Sequence, residues 1–243
     1  MRRSVLIVLL VMSSVLPSYA DSPEPREPLR VLMTVGGVGY DTSIVRLLRR
    51  HRSIDLTVRD IDVDAVVFDP AQLSGMDAVL MYHRDNVAER GERDALLDFV
   101  SDGGGIVVLH HSIANYPDWI EWWQDHVGGL YVLPGHPELP PSEYFPDFKG
   151  VARPSSDHPI TARLGDFWRY ADESYDRLWV SDSVEALLQT TAYGSENRLA
   201  WIGPSASRRI VFVQPGHGAE VLTDPKFIAL IEDALRWVAR DNK

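Results

Sequence analysis

The sequence predicts a single α/β domain on a doubly wound, mostly parallel sheet flanked by helices, with an aromatic-rich insertion in its middle. Three observations predict it. Short apolar runs, suited to strands buried on both faces, recur along the chain. Segments with helical spacing alternate with the early ones. Glycine and capping residues mark the joints. Val31 to Val35 reads as the first strand, followed by the turn Gly36-Gly37-Val38-Gly39. Asp41, Thr42 or Ser43 can cap a helix that runs to about Arg52. Ile54 to Arg59 reads as a second strand, and Asp77 to Tyr82 as a third that ends at His83. Glu89 to Ser101 has Ala95, Leu96, Phe99 and Val100 at helical spacing, and Gly103 fits its C-cap. Ile106 to Leu109 forms a fourth strand, which ends in His110, His111 and Ser112.

The middle reads differently. Asp118 to Val127 is a short aromatic-rich helix, and Tyr131 to Phe148 has no clear periodicity, as expected of a functional loop or lid. The sheet is expected to resume from Val184, with Ala186 to Thr191, Arg198 to Ile202 and Arg209 to Val213. Pro225 to Ala239 closes the chain as an amphipathic helix, and no internal repeat is apparent.

Residues 1–20 read as a secretory signal peptide. Arg2 and Arg3 precede the apolar run Val5 to Leu16, and Ser18-Tyr19-Ala20 is a small-x-small cleavage site. Export to the periplasm or beyond is expected after cleavage near Ala20, with no membrane attachment thereafter. Residues 21–29 form a proline-rich spacer and 30–240 the single domain. The formal charge is −11, which argues against nucleic acid as a partner. There is no cysteine, so neither a disulfide nor a thiol nucleophile exists. Stability must then come from the core, a metal or assembly as a homo-oligomer.

Histidine supplies most of the chemical signal. In open α/β sheets, ligands bind beyond the carboxyl ends of the strands, where His110 and His111 stand. His136 (P-G-H-P), His158 (D-H-P-I) and His217 (P-G-H-G) also occupy turn-like contexts. Imidazole is both a common metal ligand and an acid or base near neutral pH. His51 and His126 lie on helical patterns and read as surface residues. Asp172-Glu173, inside an aromatic stretch, is costly to bury unless paired or bound to a cation, and Glu173 is the candidate base or ligand. Mixed histidine and carboxylate donors suit zinc, nickel, manganese or iron. The turn G-G-V-G-Y-D lacks the third glycine of a dinucleotide fingerprint, so no NAD is expected.

Taken in order, the blocks V-L-M-T-V-G-G-V-G-Y-D, G-G-G-I-V-V-L-H-H-S, W-W-Q-D-H-V-G-G, G-H-P, D-H-P-I-T, D-E-S-Y and R-R-I-V-F-V-Q-P-G-H-G resemble the ThuA-like family. D-E-S-Y stands where the family has D-E-L-Y, and Tyr40-Asp41 where many relatives have His-Asp. The resemblance implies a class I glutamine amidotransferase-like (flavodoxin-like) fold. In those enzymes a cysteine occupies the turn that here holds His110, His111 and Ser112. It also implies a part in trehalose-type disaccharide catabolism, acting on 3-keto sugars. On that reading His110, His217 and Glu173 are the expected catalytic residues. His111, Tyr175, Trp168 and His158 are expected to contact substrate. His136, Glu173 and His110 are the expected ligands of a divalent transition metal. Because successive side chains at a strand end diverge, only one of His110 and His111 is expected to face the pocket, and that one is His110. A small sugar or oxidised disaccharide is the expected partner. The alternatives are a non-catalytic sugar-binding module and a serine hydrolase using Ser112.

Overall fold

In a computed structural model of the chain, residues 27–205 and 207–239 are described. The expected signal peptide and most of the spacer lie outside them. Among the described residues, no helix is long and apolar enough to cross a membrane.

The elements are β1 (Leu29–Gly36), α1 (Ser43–Arg50), β2 (Ile54–Asp60), α2 (Pro70–Ser74), β3 (Ala78–His83), α3 (Arg90–Ser101) and β4 (Gly105–Leu109). They continue with β5 (Gly129–Leu130), β6 (Glu143–Pro154), β7 (Trp168–Asp176), β8 (Trp179–Val180), β9 (Glu185–Gln189) and β10 (Arg198–Ile202). β11 (Ile210–Val213), α4 (Ala219–Leu222) and α5 (Pro225–Val238) complete the fold. Nine strands form one sheet in the order β2-β1-β3-β4-β11-β10-β9-β6-β7. The first five are mutually parallel and the last four antiparallel. This is the expected α/β fold. Leu29, expected in the spacer, instead opens β1 by pairing with Ile54.

Alternation along β1 explains the two layers. Val31, Met33 and Val35 pack with Ile44 and Leu48 of α1 and with Leu230, Ile231 and Leu235 of α5. Leu32 points the other way and packs with Leu96, Phe99 and Val100 of α3. A period of two on a strand covered on both faces calls for apolar residues at nearly every position, and β1 has them apart from Arg30 and Thr34. Asp-Pro pairs start two of the helices. Asp69 accepts from the amides of Ala71 and Gln72, and Asp224 from that of Lys226, each followed by proline at the first helical position.

The middle of the chain departs from expectation. Asp118 to Val127 is not a regular α-helix, and Trp122–Val127 is wound as a π-helical turn. The stretch Tyr131 to Phe148 is not all loop, because β6 begins within it at Glu143. The sheet therefore resumes well before Val184, with the β6–β7 hairpin. β7 lies at the far edge of the sheet, yet its side chains bond to residues that follow β4 and β11. The antiparallel half thus folds back over the carboxyl ends of the parallel strands and carries β7 to the site.

Candidate active site

β4 ends at Leu109, and His110 turns the chain with φ +52°, a left-handed conformation that is costly for a residue with a Cβ. A residue strained in this way after a central parallel strand forms a nucleophile-type elbow. Gly216 makes room for it, since a Cβ there would press on Leu109 and on Cβ of His110.

The imidazole of His110 is fully buried. Its Nδ1 lies 2.7 Å from the Gln214 carbonyl oxygen, which only accepts, so Nδ1 carries a proton. Nε2 is thereby turned to Glu173 Oε1 at 2.8 Å and to the Tyr175 hydroxyl at 2.8 Å. Tyr175 also donates to Glu173 Oε1 at 3.0 Å. Burial, with the Glu173 charge added, raises the phenol well above its ordinary range and keeps it a donor. His217 brings its Nδ1 to 3.4 Å from the same carboxylate oxygen. Burial of Glu173 opposes ionisation, but the hydrogen bond and charge of His110, the charge of His217 and the Tyr175 hydroxyl outweigh it. The carboxyl is held below its usual range.

The period of β7 divides its polar side chains. Glu173 and Tyr175 face His110, while Asp172 and Ser174 face the opposite way. Asp172 Oδ2 accepts from the amides of Gly216 (2.7 Å) and His217 (3.1 Å), and Oδ1 from that of Gly218 (2.9 Å). Ser174 accepts from Gln214 Nε2 at 2.8 Å. Asp172 therefore fixes the loop that carries His217. Sequence reasoning weighed the Asp172-Glu173 pair but gave Asp172 no role of its own. The signal available was the strand period together with the backbone-rich glycines on either side of His217.

A cavity of about 220 Å³ opens beside this cluster, walled mainly by apolar side chains, with Arg84, His111, Glu173 and Tyr175 among its lining. His110 lies behind Glu173 and Tyr175, so the expectation that His110 alone faces the pocket is corrected: His111 is the imidazole in its wall. The His111 ring lies 4.6 Å from that of Tyr82. Burial, with the neighbouring His110 adding to it, pushes its value down to about 3, so it is neutral at physiological pH. Its Nε2 is buried without a hydrogen-bond partner.

Three expected site residues lie elsewhere. The Nδ1 of His136 accepts from the amides of Glu138 and Leu139 in its own turn, which puts the ring proton on Nε2, and His136 is not among the described ligand atoms that converge on Glu173. The Nδ1 of His158 accepts from the Ile160 amide, and its ring packs 5.4 Å from that of Trp237. Trp168 is core: its indole donates to Asp224 and stacks on Tyr170. Ser112 is buried and bonds both to the amide and to the carbonyl of His83, leaving its hydroxyl committed to the backbone. His126, read as a surface residue, is buried.

His110, Glu173 and His217 offer ligand atoms that all lie within 4.8 Å of one another. Metal bonds of ~2.0–2.2 Å at tetrahedral or octahedral angles place ligand atoms about 2.8–3.6 Å apart, and His110 Nε2 and His217 Nδ1 lie 2.8 and 3.4 Å from Glu173 Oε1. The proton on His110 Nδ1, held by a backbone carbonyl, is the usual outer bond of a metal-binding histidine. The set fits a divalent transition metal, with His217 taking the place expected of His136.

A glutamine amidotransferase-like α/β fold whose elbow carries an imidazole, faced by a glutamate and a second histidine, is the class that this geometry defines. The chain belongs to the ThuA family, described as trehalose utilisation, whose family model matches residues 30–238. Among solved structures it resembles a ThuA-like protein from Parabacteroides merdae at 17% identity and TM-score 0.70, covering 87% of this chain and 90% of that one. A ThuA-like protein from Bacteroides uniformis follows at 19% identity and TM-score 0.67, covering 88% and 93%. PurLQS from Thermotoga maritima shares the fold at 11% identity and TM-score 0.57, covering 88% of this chain and all of that one. Comparison with the curated proteins gave no match.

Proposed function

We propose that this chain is an exported enzyme of carbohydrate utilisation that acts by acid–base chemistry on an oxidised, 3-keto disaccharide, isomerising it or cleaving its glycosidic bond. The observation that carries the reading is the cluster of His110, Glu173, Tyr175 and His217 around one carboxylate oxygen. A ketone at C3 acidifies the C2–H bond. Glu173, ionised and lining the cavity, takes that proton, and His110 Nε2 behind it shares the proton. The electron pair forms C1=C2 and expels the glycosidic oxygen, which takes a proton from His217. Protonation of the same enediolate at the neighbouring carbon gives the isomer instead. In a metal-bound form, His110, Glu173 and His217 would instead hold a zinc, nickel, manganese or iron ion, which would supply Lewis-acid polarisation of the ketone in place of those proton transfers. The left-handed backbone of His110 is of the kind that clusters at functional sites, and it places the functional centre at this elbow.

Turnover of a 3-keto-disaccharide by the mature protein tests the reading. Glu173→Gln is expected to lower kcat by roughly 10²–10⁴-fold, the usual contribution of a positioned acid or base. Unchanged turnover in His110→Ala, Glu173→Gln and His217→Ala together would reject it. Elemental analysis supplies the metal arm: near-stoichiometric metal lost in His217→Ala supports the metal-assisted form, and full activity after chelation rejects that form. An amino terminus at Asp21 in the protein recovered outside the cytoplasm is the expected sign of export.

A further inference from the structure

Arg84 follows β3 and lines the cavity together with Glu173 and Tyr175. Its backbone is fixed: the amide donates to the Gly36 carbonyl at 3.0 Å, and Gly37 lacks a Cβ that would fall on the Arg84 carbonyl oxygen. Its guanidinium donates to the Asp85 carbonyl at 2.7 Å and to the Asn86 side-chain oxygen at 2.7 Å, both neutral acceptors. Asp85 contributes some favourable charge, but its own Oδ1 accepts from the Val87 amide. Burial lowers the guanidinium below its ordinary value, and Tyr175 is among the groups that feel its charge. Among the described residues the hydrogen bonds of this half-buried cation go to neutral oxygens, which leaves it under-compensated, and a guanidinium presents paired donors suited to a planar anion.

We infer that Arg84 selects a substrate bearing a carboxylate, so that the sugar taken by this cavity is a sugar acid. This rests on the proposed carbohydrate chemistry of the same site. The walls fit the rest of such a ligand, because Val38, Ile113, Tyr131 and Tyr144 offer apolar and aromatic faces for a ring. Ionised Glu173 in the same cavity disfavours a dianionic phosphate over a singly charged carboxylate. The formal charge of −11 also means that the chain as a whole repels anions. Among the described residues that line the cavity, Arg84 is the cation, so anion preference there depends on it.

Calorimetric titration of the mature protein in 0.15 M salt, roughly physiological ionic strength, with D-glucuronate, D-glucose and glucose 6-phosphate tests the inference. Glucuronate is expected to bind at least about tenfold more tightly than glucose, as one hydrogen-bonded charge pair provides. Arg84→Met should remove that preference, bringing the glucuronate-to-glucose affinity ratio to about one, while Arg84→Lys should restore part of it. Equal affinity for glucuronate and glucose, absence of binding by either, tighter binding of the phosphate, or a preference that survives in Arg84→Met would each overturn it. The two readings fail separately. Glu173→Gln without effect on turnover, alongside an intact Arg84-dependent preference, sinks only the chemistry. Loss of turnover in Glu173→Gln with no carboxylate preference sinks only the selectivity.

Discussion

At the scale of single residues, the site depends on two neighbouring carboxylates doing different work. Glu173 faces the imidazoles, whereas Asp172 turns both oxygens to the backbone around His217. Hydrogen bonds to a charged, buried acceptor are worth about 1.5–3 kcal/mol each, and leaving amides unpaired adds to the loss. Asp172→Asn, which turns an NH2 group toward those amides, is therefore expected to destabilise the protein by about 2–4 kcal/mol. It should also lower turnover by displacing His217. Urea unfolding and kcat, measured on the same preparation, check both, and unchanged values would remove Asp172 as a positioning residue. Histidine positions at strand ends were legible in the sequence: His110 and His217 meet at Glu173 because parallel strands β4 and β11 deliver them to one edge. His136 and His158 misled because His-Pro fixes a turn in which Nδ1 accepts from the amide two residues on. That local bond uses the ring without any ligand, and spacing alone does not separate the two uses.

At the scale of elements, legibility follows burial. β1, β3, β4 and β11 are apolar at nearly every position because helices cover both faces, so a short continuous run identifies them. β6 is almost entirely exposed or half-buried, starts amid prolines and is interrupted between Phe145 and Phe148, so neither continuous apolarity nor clean alternation marks it. The hairpin that brings Glu173 to the site was therefore invisible as structure, although its residues were visible as chemistry. The glycine turn after β1 shows the opposite case. Read as a tight turn, it is one: Gly36 and Gly37 have φ of +103° and +76°, and Gly37 lies against the Arg84 backbone. Gly37→Ala is expected to cost about 2–4 kcal/mol, from the left-handed φ and the backbone collision together. Gly39→Ala, with no heavy atom within 4 Å of the added Cβ, should be nearly neutral. Denaturant midpoints compare the two, and equal losses would mean that the turn does not hold Arg84.

At the scale of the whole molecule, buried neutral histidines set the response to acid. His83 ends β3 and is buried, with Nδ1 at 2.7 Å from the Thr34 hydroxyl and Nε2 at 2.8 Å from that of Tyr116. Burial, with a small contribution from Arg84, lowers it to about 3, the same level to which His111 is lowered. Both folded values lie below the ordinary 6.5. Between those limits the unfolded chain takes up protons that the folded chain refuses, so stability falls as pH falls through that window. Each histidine contributes a slope of up to about 1.4 kcal/mol per pH unit. Glu173 has the opposite arrangement. Its folded value lies below the ordinary carboxyl value, so its contribution is complete above about pH 4.5 and is lost only below it. Acid destabilisation is therefore expected to begin near pH 6.5, ahead of any carboxylate, with a loss of about 4 kcal/mol by pH 5 from the two histidines together. His83→Gln, which cannot titrate, should roughly halve the slope. Urea unfolding at pH 7, 6 and 5 measures it, and stability that stays level down to pH 4.5 would show that these imidazoles become charged without unfolding the core.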